Sequence, residues 1–213
     1  MLSLLRTDPL VFFLLALSLV EAIAMHEYAH ALAADLQGDR MPRAFGRLTL
    51  NPAKHLDPLG TLCLLLAGFG WGKPVEFRPK ALSSQRFGAA IVALAGPMMN
   101  VALALAAALT GRLMGLDFRF PIFVGERDPI ELFVFLFFSI NVLLAVFNLI
   151  PLPPLDGSRL LTIFLPPSKQ QIVFFLDRYG FLILLALVFF GGFRFLEPLL
   201  NRVQDLLLAL VGT

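Results

Sequence analysis

Four long apolar stretches set most of what this chain can fold into. They run from about Asp8 to Ala34, from Gly88 to Gly111, from Ile130 to Leu152 and from about Ile172 to Gly192. Each reaches the roughly 20 residues that a helix needs to cross a hydrocarbon core about 30 Å thick. Backbone inside a bilayer must satisfy its own hydrogen bonds, and a helix does so within one segment. The expected fold class is therefore all-α: a polytopic membrane protein of about four transmembrane helices, read as one domain over residues 1–213. A composition of 58% hydrophobic and 15% charged residues agrees, since soluble chains run nearer 45–50% and about 25%. A net charge of +2 gives no basic face for nucleic acid, so the expected surrounding is the lipid bilayer. The single cysteine, Cys63, excludes a disulfide framework and a cysteine-rich metal site.

Two shorter apolar pieces fall below the spanning length. Residues 58–70 read as a re-entrant or interfacial segment. Residues 196–211 carry Glu197, Arg202 and Asp205 among leucines, and lie on the membrane surface or pack on the bundle, with a tilted extra span as the alternative for either piece. Arg43–Leu50 and Lys73–Phe77 alternate weakly and are read as small strands between spans one and two. Arg6, the first apolar run and Ala22-Ile23-Ala24 imitate a signal peptide. Cleavage there would sever the helix just before its most informative residues, so an uncleaved first span is expected.

Basic residues orient the bundle. Segments 35–57, 71–87 and 153–171 hold ten, among them Arg40, Arg43, Lys54, Lys73, Arg86 and Lys169. Segment 113–129 holds two, Arg119 and Arg127. If 58–70 does not span, the three rich segments share one side. The positive-inside rule makes that side cytoplasmic.

Span one ends in His26-Glu27-Tyr28-Ala29-His30. Residues four apart share a helix face, so both imidazoles can hold one metal, while the adjacent Glu27 can act as base on a metal-bound water. Two imidazoles and a carboxylate suit zinc. The competing view makes these residues interfacial groups reaching for water; ionisable residues in a span are more commonly functional. A catalytic zinc needs a third protein ligand and an open position. His55, Asp35, Asp57, Glu76 and Asp156 are the candidates considered. Asp35, five residues past His30, points roughly 140° away on a continuing helix. Asp156 is preferred, because it follows Pro151-Leu152-Pro153-Pro154-Leu155, where prolines must break span three. Irregular backbone at membrane depth is tolerated where it lines a cavity. An ordinary Asp-Gly turn is the alternative. Parity gives a separate argument: with 58–70 not crossing, Asp156 emerges on the same side as His30.

These residues together resemble the site-2 protease family of intramembrane zinc metalloproteases. His26-Glu27-x-x-His30 and the Asn148…Leu155-Asp156-Gly157 break carry the resemblance. Asn51-Pro52-Ala53-Lys54-His55, Gly72-Lys73-Pro74-Val75 and Gly96-Pro97-Met98-Met99-Asn100 are similar to its short bacterial and archaeal branch. The resemblance implies one Zn2+ per chain on His26, His30 and Asp156, with Glu27 catalytic. It implies that Asn148 helps hold the scissile carbonyl or its oxyanion. It implies substrates that are transmembrane helices of other proteins, pairing with strands between spans one and two. It further implies a prokaryotic inner-membrane location with the active site toward the cytoplasm.

Other polar residues have plainer readings. Asn141 is expected to hydrogen-bond between helices, and Asn100 either contacts substrate or packs. Gly96-Pro97 is read as a kink and a close approach, and His55 as a loop or supporting residue. Two other functions compete: a membrane zincin with a different third ligand, such as Glu131, and a catalytically inactive relative that binds membrane helices.

Overall fold

The computed structural model describes residues 2–67, 70–84, 87–118, 128–164, 170–191, 194 and 196–212. Arg86, Arg119, Arg127 and Lys169, four of the basic residues that orient the bundle, lie outside them. The helices are α1 (Leu2–Thr7), α2 (Pro9–Leu36), α3 (Met41–Ala44), α4 (Pro58–Ala67), α5 (Gly88–Met114), α6 (Pro129–Asn148), α7 (Gly157–Phe164), α8 (Gln170–Phe189) and α9 (Glu197–Val211). Asp8 starts α2 by accepting the Val11 N–H at 3.1 Å, with Pro9 in the first turn, where its missing N–H costs nothing. Among the described residues, four helices are long and apolar enough to cross a membrane: α2, α5, α6 and residues 171–189 of α8. The third ends at Asn148, earlier than the expected Leu152, because Pro151, Pro153 and Pro154 cannot donate to a continuing helix.

Helices α2, α5 and α6 form the core. Their facing surfaces are rich in small residues: Ala22, Ala24 and Ala31 on α2, and Ala104, Ala107 and Ala108 on α5, are buried. Lipid gives apolar side chains no reason to leave it, so close backbone approach supplies the packing energy. Phe138, Val142 and Val146 of α6 fill the space against the α5 alanines. Leu207 and Leu208 of α9 enter the same cluster, and the Arg112 guanidinium donates to the Val211 carbonyl. Residues 196–211 therefore pack on the bundle.

The segment around α4 returns to its starting point. Leu56 and Gly72 form an antiparallel bridge, and the Lys73 N–H donates to the His55 carbonyl at 2.7 Å. The ten residues of α4 reach only about 15 Å, half a hydrocarbon core. This piece therefore does not cross, and the parity needed to bring Asp156 beside His30 follows.

The strands expected at Arg43–Leu50 and Lys73–Phe77 are not there: among the described residues the Leu56–Gly72 bridge stands alone. Side chains have taken the backbone groups a ladder would use. Arg47 donates to the carbonyls of Lys54, Lys73 and Pro74. The Val75 N–H goes to Glu27, the Arg78 N–H goes to Asp39, and Pro74 has none. Arg43 itself belongs to α3, and the chain turns at Gly46 with φ +67°.

Asp39 anchors this region from within. It is fully buried and holds both the backbone and the guanidinium of Arg78, at 2.9 and 3.1 Å for the latter. Burial pushes its carboxyl up, but the Arg78 and Met41 N–H groups and the Arg78 charge more than offset this and hold it below its ordinary value. A carboxyl depressed by folding adds stability that is complete above its unfolded value, about 3.9, and is lost as pH falls through its folded value. Thermal unfolding in detergent is expected to lose stability as pH drops below about 4. Asp39→Asn should flatten that slope and lower stability at pH 7; an unchanged slope would remove Asp39 as its source.

Candidate metal centre

His26 and His30 lie one turn apart on α2, with their Nε2 atoms 2.9 Å from each other. Asp156 reaches them from the break after α6, its Oδ2 lying 3.0 Å from His26 Nε2 and 3.2 Å from His30 Nε2. The local sequence explains the placement. After the prolines stop α6, Leu152 and Leu155 are buried against Leu184 of α8 and fix the turn. Gly157 then starts α7 where a Cβ would lie 2.2 Å from the Leu149 carbonyl oxygen, so only glycine lets the chain fold back this tightly.

The second nitrogen of each imidazole is also fixed. His26 Nδ1 is 2.6 Å from Asn100 Oδ1, and His30 Nδ1 is 2.7 Å from the Val92 carbonyl. Both partners accept, so both Nδ1 atoms donate, which in the neutral rings leaves a lone pair on each Nε2. With neutral rings, two lone pairs and a carboxylate oxygen face one another, and Asp156 Oδ2 is buried without a hydrogen bond. Such a set repels itself unless a cation sits among it. The three separations are a few tenths of an ångström shorter than the roughly 3.3–3.5 Å between ligands of a tetrahedral zinc at about 2.0–2.2 Å, so a small parting of the three side chains would seat the ion. Among the described residues these three form the group able to hold a metal.

Gly96 of α5 makes the space. A Cβ there would lie 2.4 Å from His30 Nε2 and 2.6 Å from His26 Nε2. From the sequence, Gly96-Pro97 is expected to supply a kink and close packing. The close approach is present, but to the two imidazoles, which a local reading of α5 had no means of finding.

The remaining candidates separate cleanly. Glu27 faces a cavity of about 520 Å³ that His26, His30, Asn148 and Asp156 also line. Its Oε2 accepts the Val75 N–H at 3.2 Å. Asn148 is half-buried and donates to the Leu144 carbonyl of its own helix at 3.0 Å. Asn100 is fully buried, bonded to His26, and does not line this cavity. Asn141 makes the interhelical bond expected of it, accepting from Asn100. His55 is buried with its Nε2 2.7 Å from the Thr49 carbonyl, Asp35 pairs with Arg40 and Arg43, Asp57 caps α4 through the Gly60 N–H, and Glu76 is exposed. None of these four joins the cluster.

The sequence model of peptidase family M50 matches residues 12–122 and 121–187. A Bacillus subtilis protein named "Putative zinc metalloprotease YwhC" is 36% identical over 197 residues, covering 92% of this chain and 90% of that protein. "Putative zinc metalloprotease Rip2" of Mycolicibacterium smegmatis is 32% identical over 200 residues, covering 90% of this chain and 70% of its own. Its Mycobacterium tuberculosis namesake is 30% identical over 197 residues with the same coverage. No solved structure gives a significant match. The matched stretches contain both histidines, Glu27 and Asp156, and with relatives of this identity and coverage the chain belongs to peptidase family M50, the site-2 protease family.

Proposed function

We propose that this protein is a zinc-dependent endopeptidase that hydrolyses peptide bonds in transmembrane segments of other membrane proteins. The observation that carries the proposal is the meeting of His26, His30 and Asp156 from two distant segments on the wall of a cavity that Glu27 shares. These three side chains would hold the zinc, as the family and the names of the relatives support. Bound zinc supplies Lewis acidity, polarising a carbonyl and acidifying water.

The chain's own groups do the rest. Glu27 takes a proton from the attacking water and passes it to the leaving amine. Its tie to the Val75 N–H aims the carboxylate along the cavity. Asn148, on the cavity wall, has a second amide N–H beyond the one given to Leu144, and this donates to the scissile carbonyl or its oxyanion. The cavity is walled by Ile23, Val75, Leu144, Phe147, Phe181 and Leu184 among others, an apolar lining suited to a stretch of membrane helix that has been unwound. Arg40, Lys54, Lys73 and Lys80 follow α2 with no crossing between, which supports a cytoplasmic-side site, and the bacterial relatives support a prokaryotic inner membrane.

A zincin using Glu131 finds no support: that residue lies in the first turn of α6, about 25 Å along the helix from Asn148. The test is reconstitution of the full chain in lipid vesicles with single-span substrates. Zinc-dependent cleavage inside the span is expected. Cleavage confined to water-exposed flanking peptide, or none from zinc-loaded protein, would overturn the proposal, the latter leaving a helix-binding relative without activity.

A further inference from the structure

We infer that Asn141, on α6, is a positioning residue that acts through Asn100 to set the tautomer of His26; the inference rests on the proposed zinc site. Each metal-facing imidazole needs its Nδ1 protonated so that Nε2 keeps its lone pair. For His30 the partner is the Val92 backbone carbonyl, which accepts and cannot turn round. For His26 the partner is the Asn100 amide, which can. Rotated by 180°, it would offer an N–H to His26 Nδ1, move the imidazole proton to Nε2 and remove one metal ligand.

Two contacts oppose that rotation. Asn100 Nδ2 donates to the Ala22 carbonyl at 3.2 Å and to Asn141 Oδ1 at 2.9 Å. The Ala22 carbonyl only accepts, so it identifies the nitrogen end of Asn100. Asn141 could itself turn, but its Nδ2 donates to the Phe137 carbonyl at 2.8 Å, which leaves its oxygen toward Asn100. Orientation therefore runs from a backbone carbonyl of α6 through two amides to a nitrogen on α2, linking all three core helices. Both asparagines are 0% exposed. Asn100 is fully used: its oxygen serves His26 and both amide protons have acceptors. Buried amides in a bilayer are costly unless satisfied, and here each bond also removes a wrong orientation.

The test is the zinc affinity of purified full chain, by competition with a coloured chelator, for wild type, Asn141→Leu, Asn100→Leu and the double variant. Supporting residues of metal ligands typically carry 10–100-fold in affinity. Asn100→Leu should lose about that much, Asn141→Leu about 10-fold, and the double variant no more than Asn100→Leu alone. Asn141→Asp, neutral in this setting, can accept from Asn100 and donate to Phe137, and should restore affinity to within about threefold of wild type. Losses that multiply in the double variant, or an unchanged affinity in Asn141→Leu, would overturn the inference and leave Asn141 a packing residue. Nitrogen-15 spectra of labelled histidine in zinc-free wild type need no variant to fold. They should show Nδ1 of His26 protonated; a ring protonated at Nε2 alone would overturn the inference. Wild type that binds no zinc would instead sink the proposed function, while the tautomer measurement still decides the positioning.

Discussion

Glu27→Gln is expected to slow peptide hydrolysis by about 10²–10⁴-fold, the usual contribution of a positioned acid–base group, while zinc content stays that of wild type. Glutamine is nearly isosteric, and its amide oxygen can still accept the Val75 N–H that Glu27 accepts at 3.2 Å. The local fold is therefore retained and only the ability to take a proton is lost. Glu27 is absent from the ligand cluster, so the metal has no reason to leave. Turnover of a single-span substrate in vesicles, measured beside elemental zinc on the same preparation, checks both halves. Activity within a few-fold of wild type would take the base role from Glu27. Loss of zinc in step with activity would make it a ligand instead.

Gly96→Ala should remove zinc binding, at a cost in affinity of at least about 100-fold, since it strikes the ligands themselves and not their supports. The new methyl would lie 2.4 Å from His30 Nε2 and 2.6 Å from His26 Nε2, well inside contact distance for carbon and nitrogen. Neither ring can step aside cheaply. His26 is tied through Nδ1 to Asn100 and His30 to the Val92 carbonyl, and both partners are on α5 with Gly96. Overpacking of this kind costs about 1–3 kcal/mol, so the zinc-free variant should stay folded and unfold at a somewhat lower temperature. Zinc titration with that control decides the matter, and wild-type affinity in Gly96→Ala would mean that the rings lie elsewhere in the working protein.

What the sequence disclosed was what repeats or breaks locally. The spans were legible because bilayer thickness fixes a helix length, and α2, α5, α6 and α8 fall close to the expected limits. His26 and His30 were legible because a four-residue spacing determines a shared face. Asp156 followed from prolines that had to end α6, together with a parity argument that the Leu56–Gly72 bridge supports. The approach of Gly96 to the imidazoles and the identity of Asn141's partner were not legible, because each depends on which face of one helix meets another across dozens of residues. The two expected strands failed for a related reason: the backbone groups of residues 73–78 were claimed by Glu27, Arg47 and Asp39, far away in sequence.

The central claim is that α2 and the break after α6 hold one metal together. Elemental zinc per chain, measured on wild type and on Asp156→Ala purified identically, tests it most directly. The account predicts about one tightly held zinc in wild type, as a three-ligand site requires, and a loss of affinity of at least about 100-fold in the variant. Equal zinc in both proteins would remove Asp156 from the ligands and contradict the account.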